Sequence, residues 1–136
     1  MDGITLTSLK RILHPKGDIF HAMKASDIGF SGFGEAYFST INKNDIKGWK
    51  KHTDMTLNLV VVTGEVEFVA YDGDSFFNIK LSKKNYQRLT VRPNLWLAFK
   101  GIDDESILLN LANIEHDPNE SENVDLDTFK YNWDEL

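Results

Sequence analysis

The residues with the most chemistry in this sequence sit together in IKGWKKHT, residues 46–53. The imidazole of His52 can give or take a proton. Lys47 and Lys50 carry ammonium groups, which hold phosphate or steady an oxyanion forming beside a carbonyl. Such a set suits phosphate binding, polarisation of a carbonyl or acid–base work, with Trp49 at hand to pack on a ligand. The plain alternative is a solvated basic loop anchored by Trp49, since runs of charge are usually surface features.

Two amides interrupt otherwise apolar runs, Asn58 in TLNLVVV and Asn110 in ILLNLANI. Burying an amide without a partner costs about 1–3 kcal/mol. Each therefore either faces a cavity and touches a ligand, or satisfies backbone groups at a bulge or barrel end. Trp96, just after the Pro93 turn, either stacks on a sugar or base or fills the core. His116 and Asp117 end the last apolar run, at the place where a barrel has its mouth. His116 and Asp117 are candidate active groups there; the alternative for Asp117 is turn formation before Pro118. His14 and His21 read as structural or surface residues.

A metal in a small barrel usually needs a His-x-His pair, a nearby Glu and a third His on a later strand. Here His52 is followed by Asp54 and Asn58, and Ala98 stands where the later histidine would fall. A His52/Asp54 pair alone is a weak site for a first-row metal. There is no cysteine, hence no thiolate site. The expectation is no metal and no cofactor.

The elements that must position these groups read as strands. Short apolar runs are bounded by turn residues throughout. Residues 19–26 and 28–41 read as extended, the latter bent at its glycines. Residues 55–62 and 65–72 read as a strand pair turning at Thr63-Gly64, with Val66, Phe68 and Ala70 on one face. Further strands are expected at 76–82, 88–93, 95–102 and 107–114. About eight strands at this spacing predict an all-β fold, an antiparallel jelly-roll β-barrel. The chain of 136 residues is one domain, 1–136, with the polar segment 117–136 wrapping the barrel through Val124, Leu126, Phe129 and Trp133.

With 21 acidic and 15 basic residues the net charge is −6, against a nucleic-acid partner. The cationic cluster Lys43, Lys47, Lys50 and Lys51 on an acidic chain suits a small anionic ligand. No run approaches the roughly 20 apolar residues of a membrane span, and no signal-like segment opens the sequence. A cytoplasmic protein with no membrane partner is expected.

IKGWKKH, a strand running into TGEVEFVAYD, then YQRLTVRPNLWLAF and finally ILLNLANIEHDP resemble the deoxysugar epimerases of the cupin superfamily, of the dTDP-4-dehydrorhamnose 3,5-epimerase type. The likeness spans roughly residues 12–133. It implies a jelly-roll homodimer and a nucleotide-linked 4-keto-6-deoxyhexose as substrate, in cell-surface polysaccharide biosynthesis. It also implies cofactor-free abstraction of a proton beside the keto group. That chemistry asks for a base and an acid on opposite faces of the sugar, and a cation for the enolate oxygen. In these terms His52, Lys50 and His116 are the catalytic candidates. Lys47, Trp49, Asn58, Trp96, Asn110 and Asp117 are the substrate-binding ones. The sequence departs from the family at several points. Lys47 replaces an arginine, and Lys50 stands at the catalytic histidine position, so His52 serves only if the strand entry is re-registered. No tyrosine lies within 113–117, and the C-terminal region supplying the aspartate that orients the histidine has no counterpart. The alternative reading is a non-catalytic cupin that binds a sugar nucleotide or a protein partner. A scaffold dimer with a packed aromatic interior is the third.

Overall fold

β-Branched and aromatic residues alternate with polar ones along most of this chain, and that pattern forces strands with one face inward. The computed structural model describes residues 1–134. In chain order the strands are β1 Ile4–Ser8, β2 Arg11–Ile12, β3 Ile19–Phe20, β4 Glu35–Asn42, β5 Ile46–His52 and β6 Leu57–Thr63. They continue as β7 Glu65–Tyr71, β8 Phe76–Ser82, β9 Gln87–Val91, β10 Trp96–Gly101, β11 Glu105–Ala112 and β12 Ser121–Asn123. Single 3-10 turns lie at Pro118–Glu120 and Leu126–Thr128.

The long strands form two five-stranded antiparallel sheets, in the orders β1-β9-β6-β11-β4 and β12-β5-β10-β7-β8. This is the expected all-β jelly roll in its two-layer form. Leu59, Val61, Leu89 and Leu108 of the first sheet pack against Val66, Phe68 and Ala70 of the second. Burying each large apolar side chain contributes about 1.5–3 kcal/mol. Residues 55–62 and 65–72 are not a hairpin. β6 pairs with β9 and β11, and β7 with β8 and β10, so Thr63-Gly64 carries the chain from one sheet to the other. Gly64 has φ +78°, and a Cβ there would lie 2.3 Å from Ser106 Oγ, so glycine suits the crossing.

The outer faces are covered differently. Trp49, Val69 and Ala98 of the second sheet are buried under Val124, Phe129, Tyr131 and Trp133 of the C-terminal segment. The indole N–H of Trp49 donates to the Leu126 carbonyl at 3.1 Å. Of the segment 117–136, expected to wrap the barrel, 135 and 136 lie outside the described residues. On the first sheet, fully buried Arg88 donates to the carbonyls of Ala22 (2.7 Å) and Ile28 (2.8 Å) and pairs with Asp27. Those bonds tie down residues 22–28, irregular at 22–24 and turning from 25 on, so that only Ile19–Phe20 of the expected 19–26 strand forms. No helix among the described residues is long and apolar enough to cross a membrane.

Candidate active site

Residues 46–53 are neither loop nor plain strand. β5 pairs with β10, setting Lys47 opposite Phe99 and Lys50 opposite Leu97, with a register shift between. The extra residue of this bulge falls at Gly48-Trp49. It gives Lys47 and Lys50, three apart, the same inward face, and His52 follows two residues after Lys50 on that face. Gly48 has φ +145°, and a Cβ would meet that of Ala98 at 2.5 Å, so only glycine lets the two strands approach here.

Between the sheets opens a cavity of about 340 Å³. On the second sheet its wall is Lys47, Gly48, Lys50 and His52 of β5, backed by Leu97 and Phe99. On the first sheet it is Tyr37 and Ser39 of β4, Leu57 and Leu59 of β6, and Leu108 and Asn110 of β11. One wall is cationic, and the other is apolar with a few polar groups. Lys47 Nζ donates to the Thr40 carbonyl at 2.7 Å, bridging the sheets. The Lys50 ammonium makes no hydrogen bond or ion pair among the described residues. No three His, Cys, Asp or Glu side chains among them gather as metal ligands.

His52 is not alone. Its Nδ1 bonds to Oε1 of Glu120, and both side chains are buried. The other carboxylate oxygen accepts from the backbone N–H groups of Asp54 (3.1 Å) and Met55 (3.2 Å). Burial pushes the Glu120 carboxyl up. The bonds from His52, Asp54 and Met55 outweigh it and hold the group below the ordinary carboxylate range. An ionised carboxylate only accepts, so Nδ1 must carry the proton. In neutral His52 the Nε2 lone pair is then the basic position. Asp117 caps the 3-10 turn that delivers Glu120, its side chain accepting from Asn119 N at 2.9 Å. β12 then pairs with β5, Ser121 opposite His52.

Residues 2–132 match the family described as FdtA, WxcM-like, C-terminal. The chain belongs to this family. Among solved structures, this FdtA-family chain superposes on a dTDP sugar isomerase from Desulfovibrio desulfuricans G20 with a TM-score of 0.89 and 30% identity, covering 93% of this chain and 87% of that one. It superposes on QdtA, a sugar 3,4-ketoisomerase from Thermoanaerobacterium thermosaccharolyticum solved with TDP, with a TM-score of 0.80 and 21% identity (90% and 88% covered). For RmlC, the dTDP-6-deoxy-D-glucose-3,5-epimerase of Legionella pneumophila Philadelphia 1, the values are 0.81 and 16% (93% and 74% covered). At those identities the last two speak for a shared fold. A search of curated proteins gives no match. The resemblance to cupin sugar epimerases and isomerases read from the sequence holds at the level of family and fold.

In this FdtA-family chain, His52, Lys50, Lys47 and Asn110 meet in one cavity, and five other candidates do not. Trp49 is fully buried on the opposite face of its sheet, because the bulge leaves it facing outward beneath the C-terminal segment. Trp96 packs on that same outer face against Phe129 and under the Lys51 ammonium. Asn58 alternates with cavity-lining Leu57 and Leu59 and so points outward, where it accepts from Thr90 Oγ1 (2.7 Å) and donates to the Gly29 carbonyl (3.1 Å). His116 is exposed outside the cavity, its backbone N–H bonded to Glu35. Asp117 is a turn former. Sequence reasoning missed Glu120 and Tyr37. The Asp-Pro turn before Glu120 was legible, but not that it returns a carboxylate to β5. Tyr37 lay in a run whose faces were unassigned.

Proposed function

We propose that this protein is a nucleotide-sugar isomerase or epimerase that acts on a dTDP-linked 4-keto-6-deoxyhexose by cofactor-free proton transfer beside the keto group. The observation that carries this reading is the His52–Glu120 pair opening onto the same cavity as Lys50, whose ammonium has no partner among the described residues. A ketone activates its neighbouring C–H bond. Neutral His52, with Nδ1 held by Glu120, presents Nε2 to take that proton. The enolate oxygen formed is negative, and an ammonium group waiting in a partly apolar cavity stabilises it strongly. Lys50, without a side-chain partner among the described residues, suits this or the diphosphate, while Lys47 is tied to the Thr40 carbonyl. Asn110 and Ser39 offer hydrogen bonds to sugar hydroxyls. Family membership and the 30% identity to a dTDP sugar isomerase support the substrate class. A homodimer belongs to the same proposal, the exposed Leu13, Ile19, Ile28, Phe33 and Phe38 being the apolar surface that it would bury.

The test is solvent exchange. The protein is incubated with dTDP-4-keto-6-deoxyglucose in deuterated water, and the sugar is read by NMR and mass spectrometry. Deuterium next to the keto carbon with wild type, and none with His52→Ala, is expected. Tight binding without label would replace this reading by a binding module. Sedimentation of the free protein tests the dimer.

A further inference from the structure

We infer that Asn123 of β12 holds the diphosphate of the nucleotide at the mouth of the cavity, which makes the C-terminal segment part of the ligand site. The inference rests on the proposed isomerase or epimerase reading and adds a binding residue to the same cavity.

The register of β12 decides which of its side chains face inward. Ser121, Glu122 and Asn123 lie opposite His52, Lys51 and Lys50 of β5. Residues directly opposite one another share a face, so Asn123 stands beside Lys50 on the inner face and joins the cavity lining. Glu122 takes the other face, where its carboxylate pairs with the Lys51 ammonium at 3.4 Å. Directly after Asn123, Val124 and Trp49 exchange backbone hydrogen bonds of 3.1 and 3.2 Å. The backbone of Asn123 is thus fixed on both sides. Its side-chain amide has no hydrogen-bond partner among the described residues. Asparagine is depleted in strands, and no contact within β12 calls for an amide at this position.

The chemistry of the substrate says what reaches it. In a 4-keto hexose the anomeric carbon lies across the ring from the keto carbon. With the keto oxygen against Lys50 and the neighbouring carbon at His52, the diphosphate on the anomeric carbon has to leave by the open side. The floor is closed by Leu57, Leu59, Leu97, Phe99 and Leu108. The Lys47 bond to the Thr40 carbonyl closes the rim beside it. What remains is the gap between β4 and β12, the edge strands of the two sheets, where Asn123 is exposed. An amide N–H donates to a phosphate oxygen in a charge-assisted hydrogen bond. A ligand held by β5 and β12 together also draws the two strands onto each other, and by linkage it is bound better when they are paired.

The experiment measures TDP affinity by calorimetry for wild type, Asn123→Ala and Asn123→Asp, with kinetics on dTDP-4-keto-6-deoxyglucose and backbone hydrogen exchange alongside. Asn123→Ala should weaken TDP binding by about 10-fold, the lower end for a hydrogen bond to a charged group, and raise KM to match, with a much smaller change in kcat. Asn123→Asp should bind more weakly still, because a carboxylate would face the phosphates. TDP should slow exchange of the 122–124 amides in wild type and slow it less in Asn123→Ala at equal occupancy. Without ligand the two proteins should exchange alike; faster exchange in ligand-free Asn123→Ala would make the residue structural and overturn the inference. TDP affinity equal to wild type in both variants, or a loss seen only with the dTDP-sugar, would overturn the diphosphate contact and leave the isomerase reading standing. Wild type that binds TDP but exchanges no α-proton of the substrate would overturn the isomerase reading and leave the Asn123 contact.

Discussion

Glu120 grips Nδ1 of His52 with one carboxylate oxygen and the backbone of Asp54 and Met55 with the other, across 68 positions of sequence. A carboxylate in that position fixes which imidazole nitrogen is bare. Glu120→Gln keeps the shape but offers His52 an N–H whenever its oxygen stays on the two backbone donors. His52 would then carry its proton on Nε2 and have no base to present. We expect turnover to fall by roughly 10⁴-fold, the scale seen when a histidine is held in the wrong tautomer, with TDP binding retained. Nitrogen-15 NMR of the imidazole reads the tautomer directly, and an unchanged tautomer with unchanged turnover would refute the assignment.

The same carboxylate makes stability depend on acid. Glu120 is held below its ordinary value in the folded protein, so the unfolded chain binds its proton more readily. Its contribution is complete above the unfolded-state value of about 4.3 and is lost as pH falls through the lower folded value. Denaturant midpoints for wild type should therefore drop on acidification below that point. Glu120→Gln should start less stable at neutral pH and drop less steeply. Parallel profiles would show that the group does not contribute.

The Lys50 ammonium has no partner among the described residues, so its charge is available to a ligand. Lys50→Gln should weaken substrate binding or turnover by about 10- to 100-fold, matching about 1.5–3 kcal/mol for a hydrogen bond to a charged group. It should also flatten the dependence of kcat/KM on salt. Equal kinetics at low salt would remove Lys50 from the site.

Trp49 is a stability residue. Trp49→Ala should cost about 3–5 kcal/mol, as other large-to-small core changes do, and loosen the C-terminal segment that lies over it. Trp49→Phe, which fills most of the space, should bind TDP as wild type does by calorimetry. A marked loss of affinity in that folded variant would restore the nucleotide contact expected from the sequence.

The architecture was legible because alternation and turn chemistry are local, and the strand segments from 55 onward follow them closely. The site was legible only in part. Lys47 and Lys50 are three apart, and alternation would put them on opposite faces. The bulge at Gly48, which depends on how closely Ala98 approaches, reverses that and turns Trp49 outward. Asn58 and Asn110 look alike in sequence, yet one faces outward and the other inward, since strand parity relative to the core is a tertiary fact. The Thr63-Gly64 turn resembles a hairpin locally, and only the pairing of β6 with β9 and β11 shows a crossing between sheets. Glu120 was hidden for the same reason, as its partner is distant along the chain.

The strap over the second sheet has a consequence for how this protein would switch off. The peptide that covers Trp49 is continuous with the strand whose first residue sits opposite His52 and with the turn that carries Glu120. Peeling that strap away, by a protease nick or by a competing surface, would strip the imidazole of its carboxylate while leaving both sheets standing. Tail attachment and readiness of the base are one equilibrium, so limited digestion should silence turnover before it unfolds the barrel.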